Sequence, residues 1–164
     1  MPNWCDNTMI VRGSDEKIAA FIEEMKPLAG GTYNDAQFDG GVTGEVLDFS
    51  AVIPKPRVLP QSNEWGIENW GTKWNASGTQ IVDLYSDPDD ENVIGIVTYD
   101  YSTAWSPAMK WQETVIAYYP DLQFRFEWRE DGMNFAGEME GYEGKVTEVN
   151  EGEVADYYDV DESV

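Results

Sequence analysis

Residues 122–129, Leu122-Gln123-Phe124-Arg125-Phe126-Glu127-Trp128-Arg129, alternate apolar and polar side chains without a break. A period of two belongs to a β-strand buried on one face, with Leu122, Phe124, Phe126 and Trp128 turned inward. Such a strand needs a second layer over its apolar face, and the chain offers two helices to supply it. Ser14 stands as N-cap before Asp15 and Glu16, whose charges suit a helix N-terminus. Ile18, Phe21, Ile22 and Met25 then recur at i, i+3, i+4 and i+7, and Pro27 marks the exit. Further on, Ser106-Pro107 offers an N-cap and an N1 proline, and Trp111, Val115 and Tyr118 line one face until Tyr119-Pro120.

The remaining strands are read outward from these elements. Thr8–Arg12 forms one, and Val46–Ile53 another, ended by Pro54-Lys55-Pro56. Thr79–Tyr85 and Val93–Tyr101 form an antiparallel pair joined by the turn chemistry of residues 86–92. Residues 28–45, rich in Gly, Asn and Asp, read as a connection without the G-K-[ST] ending of a phosphate loop. The order is strand, helix, strand, hairpin pair, helix, strand. It predicts one α+β domain over residues 1–164, a sandwich on the split βαβ, or ferredoxin-like, plan: an antiparallel sheet with two helices on one face. To this are added a long Trp-rich loop and, in the Gly-spaced run after Gly132, a C-terminal hairpin.

Composition narrows the chemistry. The chain has 164 residues, 32 acidic and 10 basic, no histidine and one cysteine, for a net charge of −22. One cysteine cannot close an intrachain disulfide or ligate an iron–sulfur cluster, and without histidine no nucleophile–histidine pair forms. We therefore expect no cofactor, no metal and no catalytic residue. Cys5 reads as a small packed side chain. Asp87, Asp89 and Glu91 alternate like calcium ligands, but Asn92 replaces the glycine of an EF-hand turn, leaving at most a weak surface ion site. No leader-like segment or run of ~20 apolar residues is seen, so the expected home is the cytoplasm, away from membranes. Asn75-Ala76-Ser77 fits a glycosylation sequon, a chance match in such a setting. Charge of this sign repels nucleic acid and equals that on about 37 Å of duplex at one charge per ~1.7 Å. Residues 138–164 are the densest stretch, with ten acids against the single Lys145.

The candidate binding residues fall in two groups. Trp65, Asn69, Trp70, Lys73, Trp74 and Asn75 lie within the run WGIENWGTKWNASG, with Asp100 and Trp105 expected nearby from the end of the hairpin. Flat indoles among amide and ammonium donors suit a recognition surface, yet indoles also pin a long loop to a core, and spacing alone leaves both open. Asp100 could meet Lys73, or Glu68, as an acid–base couple, though an ion pair is the plainer expectation. The second group is the acidic end: Asp156, Asp159, Asp161 and Glu162.

Several short motifs carry a resemblance. Asn3-Trp4-Cys5-Asp6-Asn7, Ile53-Pro54-Lys55-Pro56, Asn69-Trp70-Gly71-Thr72-Lys73-Trp74-Asn75-Ala76, Thr103-Ala104-Trp105-Ser106-Pro107 and Tyr119-Pro120-Asp121-Leu122 occur in order. Gly132 and Phe135-Ala136-Gly137 follow them. Together they resemble the YubB-type ferredoxin-like domain proteins of phages, plasmids and bacterial mobile islands. The resemblance implies that topology and a mobile-element origin, and carries over no catalytic residues. With the acidic surface it leads to one expectation: a non-enzymatic interaction protein, in its sharpest form a counter-defence inhibitor that mimics nucleic acid. Its partner is then a host protein with a basic nucleic-acid-binding surface, with no direct nucleic-acid contact. The alternative is a small enzyme or ligand-binding domain using the Trp-rich loop and Asp100.

Overall fold

The computed structural model describes residues 3–27, 46–56, 63–86 and 94–158. Along them run β1 (Trp4–Ser14), α1 (Asp15–Met25), a 3₁₀ turn (Phe49–Ala51), α2 (Asn63–Asn69), β2 (Ser77–Ser86) and β3 (Ile94–Ala104). Then come α3 (Met109–Tyr118), β4 (Gln123–Glu130), β5 (Phe135–Tyr142), β6 (Lys145–Gly152) and α4 (Val154–Tyr157). The residue 28–45 connection and the Asp87, Asp89 and Glu91 stretch lie outside the described residues.

The six strands form one sheet in the order β2-β3-β1-β4-β5-β6, every neighbouring pair antiparallel. Alternation divides it into two faces. On one, Met9 stands between Tyr99 and Phe126, and Val11 between Val97 and Phe124, all buried. Both long helices cover this face. Ser14 caps α1 by accepting from the Lys17 N–H, and buried Phe21 meets Tyr99, Tyr119 and Phe124 edge-on. From α3, Trp111 packs on Phe49 and the Gln112 amide lies against the Met139 sulfur. At ~1.5–3 kcal/mol for each fully buried large apolar side chain, this layer is the main source of stability.

The C-terminal hairpin closes through Glu143 and Gly144, at φ 53° and 78°. Two consecutive positive φ values make the two-residue loop whose twist matches that of the strands, and glycine relieves the strain at the second position. Residues 138–158 are thus part of the sheet and its final helix.

Three local expectations are corrected. Val46–Ile53 is no strand but a 3₁₀ turn with flanks, because side chains rather than a neighbouring strand take its backbone groups. Asp48 accepts from the Ser50 N–H, Asn75 from the Phe49 N–H, and the Trp111 and Trp70 indoles donate to the Phe49 and Ile53 carbonyls. Ser106-Pro107 does not open α3, which begins at Met109; the Ser106 hydroxyl instead donates to the Gly71 carbonyl. Tyr118 is 63% exposed rather than buried, and Gln112 and Ile116 fill the inner face beside Trp111 and Val115.

Candidate functional site

Residues 63–76 fold back on themselves, and Gly66 makes this possible: a Cβ there would lie 2.5 Å from the Lys73 carbonyl oxygen. The return brings Trp70 into the core. It is fully buried, edge-on to Phe49 and Trp65, with its indole N–H on the Ile53 carbonyl at 2.9 Å. Asn75, also fully buried, accepts from the Phe49 and Ala76 N–H groups and donates to Asp48. Trp70 and Asn75 therefore present no surface to a partner, and the sequon asparagine is enclosed. Asn69 donates to the Trp65 carbonyl, and half-buried Trp65 packs against the core. Lys73 lies 5.0 Å over the Trp74 ring, whose N–H donates to Asn63. Lys73 does not meet Asp100, which accepts from the Thr8 hydroxyl at 2.9 Å. Trp105 is 44% exposed just past β3, at φ 69°, its N–H on the Asn3 carbonyl.

The face of the sheet opposite α1 and α3 is organised differently. Register aligns Gln80, Asp100, Thr8, Glu127, Glu138 and Asn150 in one row across all six strands. The next row reads Asp83, Thr98, Ile10, Arg125, Glu140 and Glu148. Arg125 draws Glu127, Glu138 and Glu140 together. Partial burial would lower its proton affinity, but hydrogen bonds to these three carboxylates outweigh that and raise it.

At the opposite end of the first row the surface deepens into a groove of about 420 Å³, walled by Asp6, Thr8, Asp100, Ser102, Glu127 and Arg129 with Tyr158 at its rim. The Arg129 guanidinium lies 4.9 Å from the Tyr158 ring centre and holds Asp131 at 2.8 Å. Trp4, on the same side of β1 as Asp6 by alternation, meets Trp74 at 6.0 Å between ring centres. Directly behind, on the core side, burial pushes the Cys5 thiol up to about 12.

Of the acidic end, Asp156 lies exposed on α4, accepting from the Glu153 N–H, while Asp159, Asp161 and Glu162 lie outside the described residues. The groove residues Asp6, Thr8, Gln80, Ser102, Glu127, Arg129 and Tyr158 were not singled out from sequence. Alternation along β1 and β4 gives their side of the sheet, but only the pairing of distant strands places them together. Among the described residues no three carboxylate or thiol groups converge to hold a metal ion, and no helix is long and apolar enough to cross a membrane.

With this geometry in view, comparison with known proteins gives two findings. A family model described as a ferredoxin-like domain in Api92-like protein matches residues 69–164, more than half of the chain. The crystal structure of protein api92 from Yersinia pseudotuberculosis superposes with a TM-score of 0.60 at 9% identity, over 93% of this chain and 98% of that one. That likeness is one of fold. No curated protein matches the sequence.

Proposed function

This chain belongs to the family of Api92-like proteins with a ferredoxin-like domain, and from that premise we propose that it is a non-enzymatic, acidic interaction protein. In this reading the first four strands form the split βαβ unit, supported by β3 lying between β1 and β2 and by β1 lying between β3 and β4. The mobile-element origin rests on the YubB-type resemblance of the motifs in residues 3–137. In the host cytoplasm the protein occupies a basic, nucleic-acid-binding site of a host protein, as a counter-defence inhibitor would. The observation that carries the reading is the net charge of −22, with Asp6 and Asp100 exposed on the face opposite α1 and α3 and in no ion pair among the described residues. An acidic surface of this size attracts opposite charge.

The alternative, a ligand site centred on the tryptophan segment and Asp100, has less support. Trp70 and Asn75 are enclosed, and Asp100 points to the face opposite the core they help fill.

The test is capture of host proteins on the immobilised full chain at ~0.1 M and then ~1 M salt, where the screening length falls from ~10 Å to ~3 Å. Expected is retention at low salt, release at high salt, and displacement by added duplex DNA. Capture indifferent to both salt and DNA would overturn the reading.

A further inference from the structure

The face of the sheet opposite α1 and α3 is where bonding capacity is left over. Resting on the reading above, the geometry points to this face as the docking surface and to a basic segment of a partner protein as its occupant, an arginine side chain seated in the groove beside Asp6 and Asp100.

Charge complementarity selects the occupant. Asp6 and Asp100 are exposed, and their bonds come from neutral hydroxyls, Ser102 at 3.5 Å and Thr8 at 2.9 Å. Neither has an ion-pair partner among the described residues. The guanidinium nearest to hand, Arg129, is already engaged by Asp131 and the Tyr158 ring. Glu127 is likewise held by Arg125. An incoming cation therefore displaces no internal one.

The shape of the groove favours a guanidinium over a metal ion. Asp6 pairs with Ser102 and Thr8 with Asp100, so the two aspartates occupy diagonal positions on neighbouring strands, rooted ~7–8 Å apart. A metal ion needs oxygens within ~2.0–2.6 Å of one point, whereas a planar fork with donors along two edges can bridge the pair.

A second hollow, about 200 Å³, lies further along β1, where half-buried Ile10 and Ile96 are flanked by Arg12, Arg125 and Glu140. Bare carboxylates beside a hollow of mixed apolar and charged lining fit a peptide segment of varied side chains better than a polyamine, which would bring only cations toward Arg12 and Arg125. Nucleic acid and a second copy of this chain would each set negative charge against negative charge.

The experiment titrates the isotope-labelled full chain with a seven-residue peptide of alternating arginine and isoleucine, and with the same peptide carrying neutral citrulline for arginine. Expected are amide shifts at Asp6, Thr8, Asp100 and Ser102 with the arginine peptide alone. The double variant Asp6→Asn, Asp100→Asn should weaken binding by about tenfold or more, the scale of two lost charge-assisted hydrogen bonds. Glu16→Gln with Glu113→Gln removes the same charge on the helix side and should change it by about threefold at most. Shifts confined to other surfaces, equal binding of the citrulline peptide, equal losses in the two double variants, or shifts induced by duplex DNA or self-association would each overturn the proposal. If the groove fails while host capture stays salt-sensitive, the docking site is wrong and the acidic-interaction reading stands. Salt-indifferent capture removes that reading itself.

Discussion

The tryptophan segment and the open face of the sheet are built from similar materials, aromatic rings set among amides, carboxylates and cations, and they use them in opposite ways. In residues 63–76 the central polar groups are turned inward: the Trp70 indole donates to the Ile53 carbonyl, and the Asn75 amide binds the Phe49 N–H and the Asp48 carboxylate. On the sheet, Asp6 and Asp100 take their hydrogen bonds from hydroxyls, while Arg129, across from Asp6, is turned to Asp131 and Tyr158. Residue type does not distinguish the two regions; the partners already held by each group do.

The sharpest way to break this contrast is Trp70→Ala. Removing a fully buried indole should cost ~3–5 kcal/mol, read from denaturant unfolding, with binding by the folded fraction unchanged. Wild-type stability with lost binding would make the segment a recognition surface after all. Next in size, Asn75→Ala leaves the Phe49 and Ala76 N–H groups without the amide oxygen they share and takes one donor from Asp48, which keeps the Ser50 N–H. A cost of about 1–3 kcal/mol in all should appear as a lower thermal midpoint.

A third test probes the layer beneath the groove. Because the folded protein holds the Cys5 proton up to about pH 12, against 9.0 for a free thiol, it keeps a proton that the unfolded chain loses. Stability from this source is whole below pH 9 and declines as pH rises toward 12. Unfolding midpoints across that range should fall, and Cys5→Ala should flatten the part that begins near pH 9. Burial raises the phenols of Tyr99 and Tyr101 as well, adding to the decline above pH 10.

The smallest effects belong to the open face. Asp6→Asn with Asp100→Asn should shift stability by no more than about 0.5 kcal/mol, because exposed carboxylates with hydroxyl partners hold little in place. A loss of several kcal/mol would erase the contrast by making these aspartates structural. Chelator treatment should leave the melting temperature unchanged, since no three-carboxylate cluster is present among the described residues; a fall of several degrees would restore the Asp87 to Glu91 stretch as an ion site.

What was legible from sequence followed local periodicity. The stripe of Ile18, Phe21, Ile22 and Met25 and the alternation of Leu122, Phe124, Phe126 and Trp128 each state their own inner face, and all are buried but Ile22, which packs half-buried against the core. Val46–Ile53 misled because Leu47, Phe49 and Val52 are core residues whose backbone is served by Asn75, Trp70 and Trp111, side chains distant in sequence. The groove was illegible for the same reason. Asp6, Ser102 and Arg129 come from three strands, and no local pattern announces that β1 lies between β3 and β4.

That central position of β1 bears on how the chain assembles. β1 leaves the ribosome well before both of its neighbours: Cys5 faces Thr103, and Asp6 faces Arg129. Through most of synthesis β1 therefore has two bare edges, and sheet formation waits on closures spanning most of the polypeptide. Such non-local topology places folding toward the slow end for domains of this size, on a scale of milliseconds to seconds. Exposed edges in that interval invite pairing with other chains. Asp6 and Arg12, set along the nascent strand, supply the charge that discourages it, so an aspartate that awaits a partner in the finished protein also guards the strand before its own neighbours arrive.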